Sequence, residues 1–138
     1  MTSENERRLL QAAVAAACLV PLAVGALGVL RGPEMLRGVE APVAADLDSH
    51  FRYLSGLLLG IGLAFAACIP RIERVGPVFR LLGLVVILGG FARLASLLAA
   101  GMPGAGHAAG LIMELVVVPA LLVWQARVAR TCEPPRPL

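Results

Sequence analysis

The chain has 138 residues, 59% of them hydrophobic, and a mean hydropathy of +0.85, which fits one small domain and excludes an ordinary soluble globular composition. Its formal charge of +3 does not build a nucleic-acid surface, because the twelve basic residues are all arginines scattered between apolar runs, and no nucleic-acid partner is expected. Cys18, Cys68 and Cys132 lie far apart without a C-x-x-C pair, so neither a metal centre nor a dithiol relay is indicated and no cofactor is expected.

A bilayer core about 30 Å thick takes roughly 20 apolar residues in helical form. Residues 1–8 read as a polar N-terminal segment, and 9–30 as the first membrane helix, with Gln11 its one strongly polar residue and Pro21 inside it. Arg7 and Arg8 before an apolar run also suit a signal peptide, but the run exceeds a signal core of about 7 to 15 residues and no A-x-A site closes it, so a retained helix is expected. Residues 31–48 form the one sizeable connection and carry four acids, Glu34, Glu40, Asp46 and Asp48.

The second helix, 49–69, opens with Arg52 and contains Gly56-x-x-x-Gly60 followed by Ala64, a small-residue stripe suited to helix packing. Pro70 and Pro77 bracket a turn, and the third helix, 78–100, contains Arg80, the packing pair Gly89-Gly90, Arg93 and Ser96. Gly101-Met102-Pro103-Gly104 makes the next turn. The fourth helix, 107–128, holds His107, Glu114, Pro119, Gln125 and Arg127, and 129–138 is a polar tail. Pro21 and Pro119 each remove an amide donor, which frees the carbonyls of Ala17 and Leu115 and favours kinks. The expected fold is therefore all-α: a polytopic membrane protein with a four-helix transmembrane bundle.

Arginine placement sets the expected orientation. With the N-terminus inside, Arg7, Arg8, Arg71, Arg74, Arg80, Arg127, Arg130 and Arg136 share the cytoplasmic side, leaving Arg31, Arg37 and Arg52 at the other. Both termini are expected in the cytoplasm and the chain in the inner (plasma) membrane.

Two charges inside apolar runs then acquire a geometric meaning. Arg93 stands eight residues before Gly101 and Glu114 seven after His107, so both lie about 10 to 12 Å below one outer turn. Neighbouring antiparallel helices would let them pair, whereas a lone charge at a helix centre costs about 2.5–3.5 kcal/mol on insertion scales. Arg52, Ser96 and His107 lie on the same side and complete a candidate intramembrane polar site. Such a site either binds a small anionic or polar ligand or serves as an ion-pair network that fixes helix order.

The pattern Asp48-x-x-x-Arg52-Tyr53-x-Ser55-Gly56-x-x-x-Gly60-x-Gly62, then Gly89-Gly90-x-x-Arg93-x-x-Ser96-Leu97, then Glu114-x-x-x-x-Pro119 resembles the bacterial domain-of-unknown-function 4345 family of small four-helix membrane proteins, distantly similar to the DoxX-like group. The resemblance spans about residues 10 to 128 and implies that Arg52, Arg93 and Glu114 match the family's intramembrane polar positions. Ser55-Gly56 stands where family members commonly pair two glycines. DoxX-like relatives imply quinone or thiol redox chemistry, for which this chain lacks the cysteine pair.

No Ser-His-Asp order, H-x-x-x-H, Walker loop or dinucleotide fingerprint is present, so no catalytic motif supports an enzyme. Three functions stay open: a membrane binding or transport-accessory protein with an outward-facing polar pocket; a membrane enzyme or redox-partner subunit acting on a quinone or lipid; and a structural bundle supporting another membrane complex. The lipid bilayer is the expected partner, with a small ligand or quinone, a homo-oligomer or a membrane complex as further candidates.

Overall fold

A computed structural model describes residues 3–132; Met1, Thr2 and the end of the expected tail, with Arg136, lie outside the described residues. Helix α1 runs Ser3–Arg31, a short 3-10 turn follows at Gly32–Met35, and α2 runs Ala45–Cys68. A second 3-10 turn at Ile69–Arg71 leads to α3, Gly76–Ala100. The last span is composite: α4, Ala105–Ile112, passes through a π turn at Met113–Val117 into α5, Val118–Cys132. No strand occurs among the described residues.

Four spans are long and apolar enough to cross a bilayer: Ser3–Met35, Ala45–Arg71, Gly76–Ala100 and Ala105–Cys132. Each is longer than its apolar run in the sequence, because the helix continues past one or both ends of the run. Large apolar side chains project outward along all four, among them Leu19, Leu63, Leu88 and Val123. So much exposed aliphatic surface would be a liability in water and is the outer face of a multi-pass membrane protein.

The chain divides into two compact units, Ala12–Ile69 and a second made of Met1–Gln11 with Pro70–Leu138. In the first unit α1 meets α2 across small residues. A Cβ at Gly25 would lie 2.7 Å from the Leu59 backbone nitrogen, and one at Gly62 would lie 3.2 Å from Leu22 Cδ2. Gly28 faces the Ser55 side chain, and the buried Ser55 hydroxyl donates to the Phe51 carbonyl. Close backbone approach is how membrane helices gain dispersion energy when lipid offers no hydrophobic contrast. Pro21 sits inside α1, which continues unbroken through it.

The most buried side chains of the second unit are Leu10, Ile72, Phe79, Val128 and Gln125. Gln125 Nε2 donates to the Ile72 carbonyl at 2.8 Å. Ion pairs of Arg127 with Glu6 at 3.0 Å and of Arg7 with Glu73 at 3.9 Å bring the start of α1 to this unit. Along α3, glycines recur every seven residues, at Gly76, Gly83 and Gly90, and lie against Gln125, Leu122 and Leu115 of the antiparallel span. That spacing keeps one bare stripe in register along a packed helix.

Candidate functional site

Arg93 follows Gly90 by three residues, so it leaves α3 from the same bare stripe. Opposite it, the π turn carries Glu114 and Leu115, the two residues that crowd Gly90: a Cβ there would lie 2.7 Å from Leu115 Cδ2 and 2.9 Å from Glu114 Cβ. The turn has a local cause. Pro119 lacks an amide hydrogen and its ring presses on the carbonyl of Leu115, and a widened turn ahead of it, in which Val118 N–H donates five residues back to Met113 O, relieves that conflict.

The result is a fork. Arg93 Nε donates to Glu114 Oε2 and Arg93 Nη2 to Glu114 Oε1, both at 2.9 Å. Planar guanidinium and carboxylate match in this geometry, the strongest form of the pair. Arg93 keeps 34% of its side-chain surface exposed and Glu114 18%. Of the five N–H donors a guanidinium carries, two are committed, and the others have no acceptor among the described residues. Gly110 lies beside this group: a Cβ there would sit 3.7 Å from Arg93 Cζ, so the absent side chain leaves that face of the guanidinium uncovered.

The other predicted residues have different places. Arg52, in the first unit, donates from Nε to Asp48 Oδ2 at 2.8 Å and from Nη1 to the Val29 carbonyl at 2.6 Å and the Leu30 carbonyl at 3.3 Å. It thus caps the last turn of α1, where carbonyls have no intrahelical partner and the helix dipole is negative. Gly32 permits this closure: its φ is +71°, and a Cβ would lie 2.6 Å from Asp48 Oδ1 and 2.7 Å from Arg52 Nη2. Ser96 and His107 are exposed and their side chains make no hydrogen bond among the described residues.

Of the glycines expected to pack helices, Gly90 does so. Gly56, Gly60 and Gly89 are exposed; a Cβ at Gly60 or Gly89 meets no atom within 4 Å, and one at Gly56 only touches Val29 at 4.0 Å. The Gly56-x-x-x-Gly60 motif therefore points away from the α1–α2 seam, which is built instead on Gly25, Gly28 and Gly62. No group of three or more His, Cys, Asp or Glu able to hold a metal occurs among the described residues.

Sequence reasoning passed over Gln125 as a polar residue within the fourth apolar run. The structure makes it the most buried polar side chain of the second unit, with one amide end bonded to Ile72 and the other, Oε1, without a partner among the described residues. A polar side chain inside an apolar span was itself the available signal.

No curated protein and no solved structure matches the chain. A family comparison does match, over residues 9–125, which include the whole Arg93–Glu114 fork and the Arg52 cap. With that much of its length matched, the chain belongs to the family described as Domain of unknown function (DUF4345).

Proposed function

We propose that this multi-pass membrane protein is a binding or transport-accessory protein that presents Arg93 to the acceptor oxygens of a small anionic or polar ligand within the membrane. The observation that carries the reading is the one-third-exposed Arg93 side chain, which Glu114 holds by two donors while the rest have no acceptor among the described residues and Gly110 leaves one face uncovered. Glu114 fixes the orientation, and the surplus donors suit a carboxylate, a phosphate or a quinone carbonyl.

Saturable binding of decanoate and of a short-chain quinone to the detergent-solubilised protein, followed by thermal shift, tests this. Gly110→Leu places bulk beside the guanidinium without removing either charge. It is expected to weaken binding of whichever probe binds by about tenfold, on the order of one charge-assisted hydrogen bond, while the unfolding temperature without ligand changes little. Binding of neither probe, with a stable fork, would leave the fork as the structural clamp that its bidentate closure also favours.

In the same reading both termini face the cytoplasm across the inner membrane, and the acidic 31–48 segment faces out. Glu40→Cys is expected to react with an impermeant maleimide added to intact cells, and reaction only after the cytoplasm is opened would reverse the orientation.

A further inference from the structure

A second polar feature lies at the far end of α3. Arg80 precedes Arg93 by thirteen residues, about 20 Å along the helix, so nothing here depends on the fork. A cavity of about 1090 Å³ opens in the second unit between the start of α1, the start of α3 and the end of α5. Arg7, Arg74, Arg80 and Arg130 line it together with Glu4 and Glu73.

The acids are taken: Glu4 pairs with Arg8 at 2.6 Å, and Glu73 lies 3.9 Å from Arg7 and 3.6 Å from Arg74. Arg80 and Arg130 have no carboxylate partner among the described residues; Arg80 uses only its Nε, on the Gly76 carbonyl at 3.2 Å. The positive end of α3 adds to this field, since its N-cap residue, Val75, supplies no side-chain cap.

The cavity wall also holds an unmet acceptor. Gln125 is 1% exposed, and its Oε1 has no hydrogen-bond partner among the described residues. At Gly76 the groups converge: the position a Cβ would fill lies 3.3 Å from Arg80 Nη2 and 3.6 Å from Gln125 Oε1. Glu73 Oε2, 3.9 Å from Arg7 Nη1 and so too far from it for a hydrogen bond, is a second buried acceptor without one among the described residues. An occupant must therefore bring negative charge for the arginines and hydrogen-bond donors for the two buried oxygens, because an unmet buried polar atom costs about 1–3 kcal/mol.

We propose that this cavity binds a phosphoryl group carrying a glycerol substituent, with the phosphate oxygens on Arg80 and Arg130 and the hydroxyls donating to Gln125 Oε1 and Glu73 Oε2. Two sources share that chemistry, the headgroup of an anionic membrane lipid and a soluble glycerol phosphate. Basic pockets at the ends of membrane helices are suited to the first.

Binding is followed by isothermal titration calorimetry. The full chain in neutral maltoside micelles is titrated with dihexanoyl phosphatidylglycerol, with glycerol 3-phosphate and with dihexanoyl phosphatidylcholine, which lacks both the hydroxyls and the net charge. Saturable binding of the first probe alone supports the proposal with lipid as the source; binding of glycerol 3-phosphate, alone or as well, supports it with a soluble source open to the site. Arg80→Gln and Arg130→Gln are each expected to weaken binding about tenfold, whereas Arg71→Gln, which removes the same charge at the same end without lining the cavity, leaves it unchanged. The proposal is overturned if neither glycerol probe binds, if phosphatidylcholine binds equally well, or if Arg71→Gln weakens binding as much as Arg80→Gln.

Discussion

Arg93→Gln and Glu114→Gln are each expected to lower the unfolding free energy in detergent by about 2 kcal/mol, and the double variant to recover at least about 1 kcal/mol of the combined loss. Each single change strands a partly buried charge whose one partner among the described residues has gone, while the double change leaves two neutral amides able to hydrogen-bond each other. The size lies below the roughly 3–5 kcal/mol of a fully buried pair because Arg93 retains a third of its exposure and can reach toward water along its stem. Reversible unfolding of the four proteins in one detergent measures the coupling. Strictly additive losses would mean that the two side chains do not act on each other.

Gly25→Leu is expected to be the most damaging single substitution in the first unit, at about 3 kcal/mol or more. Its Cβ alone would stand 2.7 Å from the backbone nitrogen and 2.9 Å from the Cα of Leu59, and backbone cannot rotate away as a side-chain tip can. Separating α1 from α2 there would also loosen the Arg52 cap, because Val29 and Leu30 follow within two turns. Gly60→Leu is the matched control, since a Cβ there meets open space, and its stability should stay within about 0.5 kcal/mol of the starting protein. Unfolding temperatures measured side by side decide the matter. If Gly60→Leu proved the worse of the two, the α1–α2 seam would have to be assigned to the GxxxG face.

How far the sequence could be read depends on which physical constraint each residue answers to. Arg93 and Glu114 were legible because hydrocarbon penalises an unpaired charge, and a Gly-Pro turn between two apolar runs places them at one depth. The π turn that brings Glu114 and Leu115 onto Gly90 was not, although Pro119 marked the place, because a proline's lost donor can be answered by a kink, a widened turn or a side chain, and packing selects among them. At Pro21 no widened turn appears, and α1 is continuous from Ser3 to Arg31.

Arg52 stands in the sequence as a member of the intramembrane polar site, yet its role waits on where α1 ends, and a cap 23 residues away leaves no local pattern. The glycines teach a similar lesson. Gly56-x-x-x-Gly60 is the recognisable motif but is exposed, while the seven-residue recurrence of Gly76, Gly83 and Gly90 stood in the sequence and marks the contact stripe of α3. Gln125 combines both difficulties: its polarity was visible, but its partner Ile72 lies 53 residues away across a turn.

The paired fork within the membrane-spanning part of the chain is the claim on which the account rests. Solid-state NMR of the protein in lipid bilayers, with 15N-labelled arginine and 13C-labelled glutamate carboxylates, measures it directly through nitrogen–carbon dipolar dephasing. Two N···O distances of 2.9 Å predict a guanidinium–carboxylate contribution to the dephasing that is lost in Glu114→Gln, leaving the smaller total from the Arg8–Glu4 and Arg127–Glu6 pairs. Identical dephasing in the two proteins would contradict it.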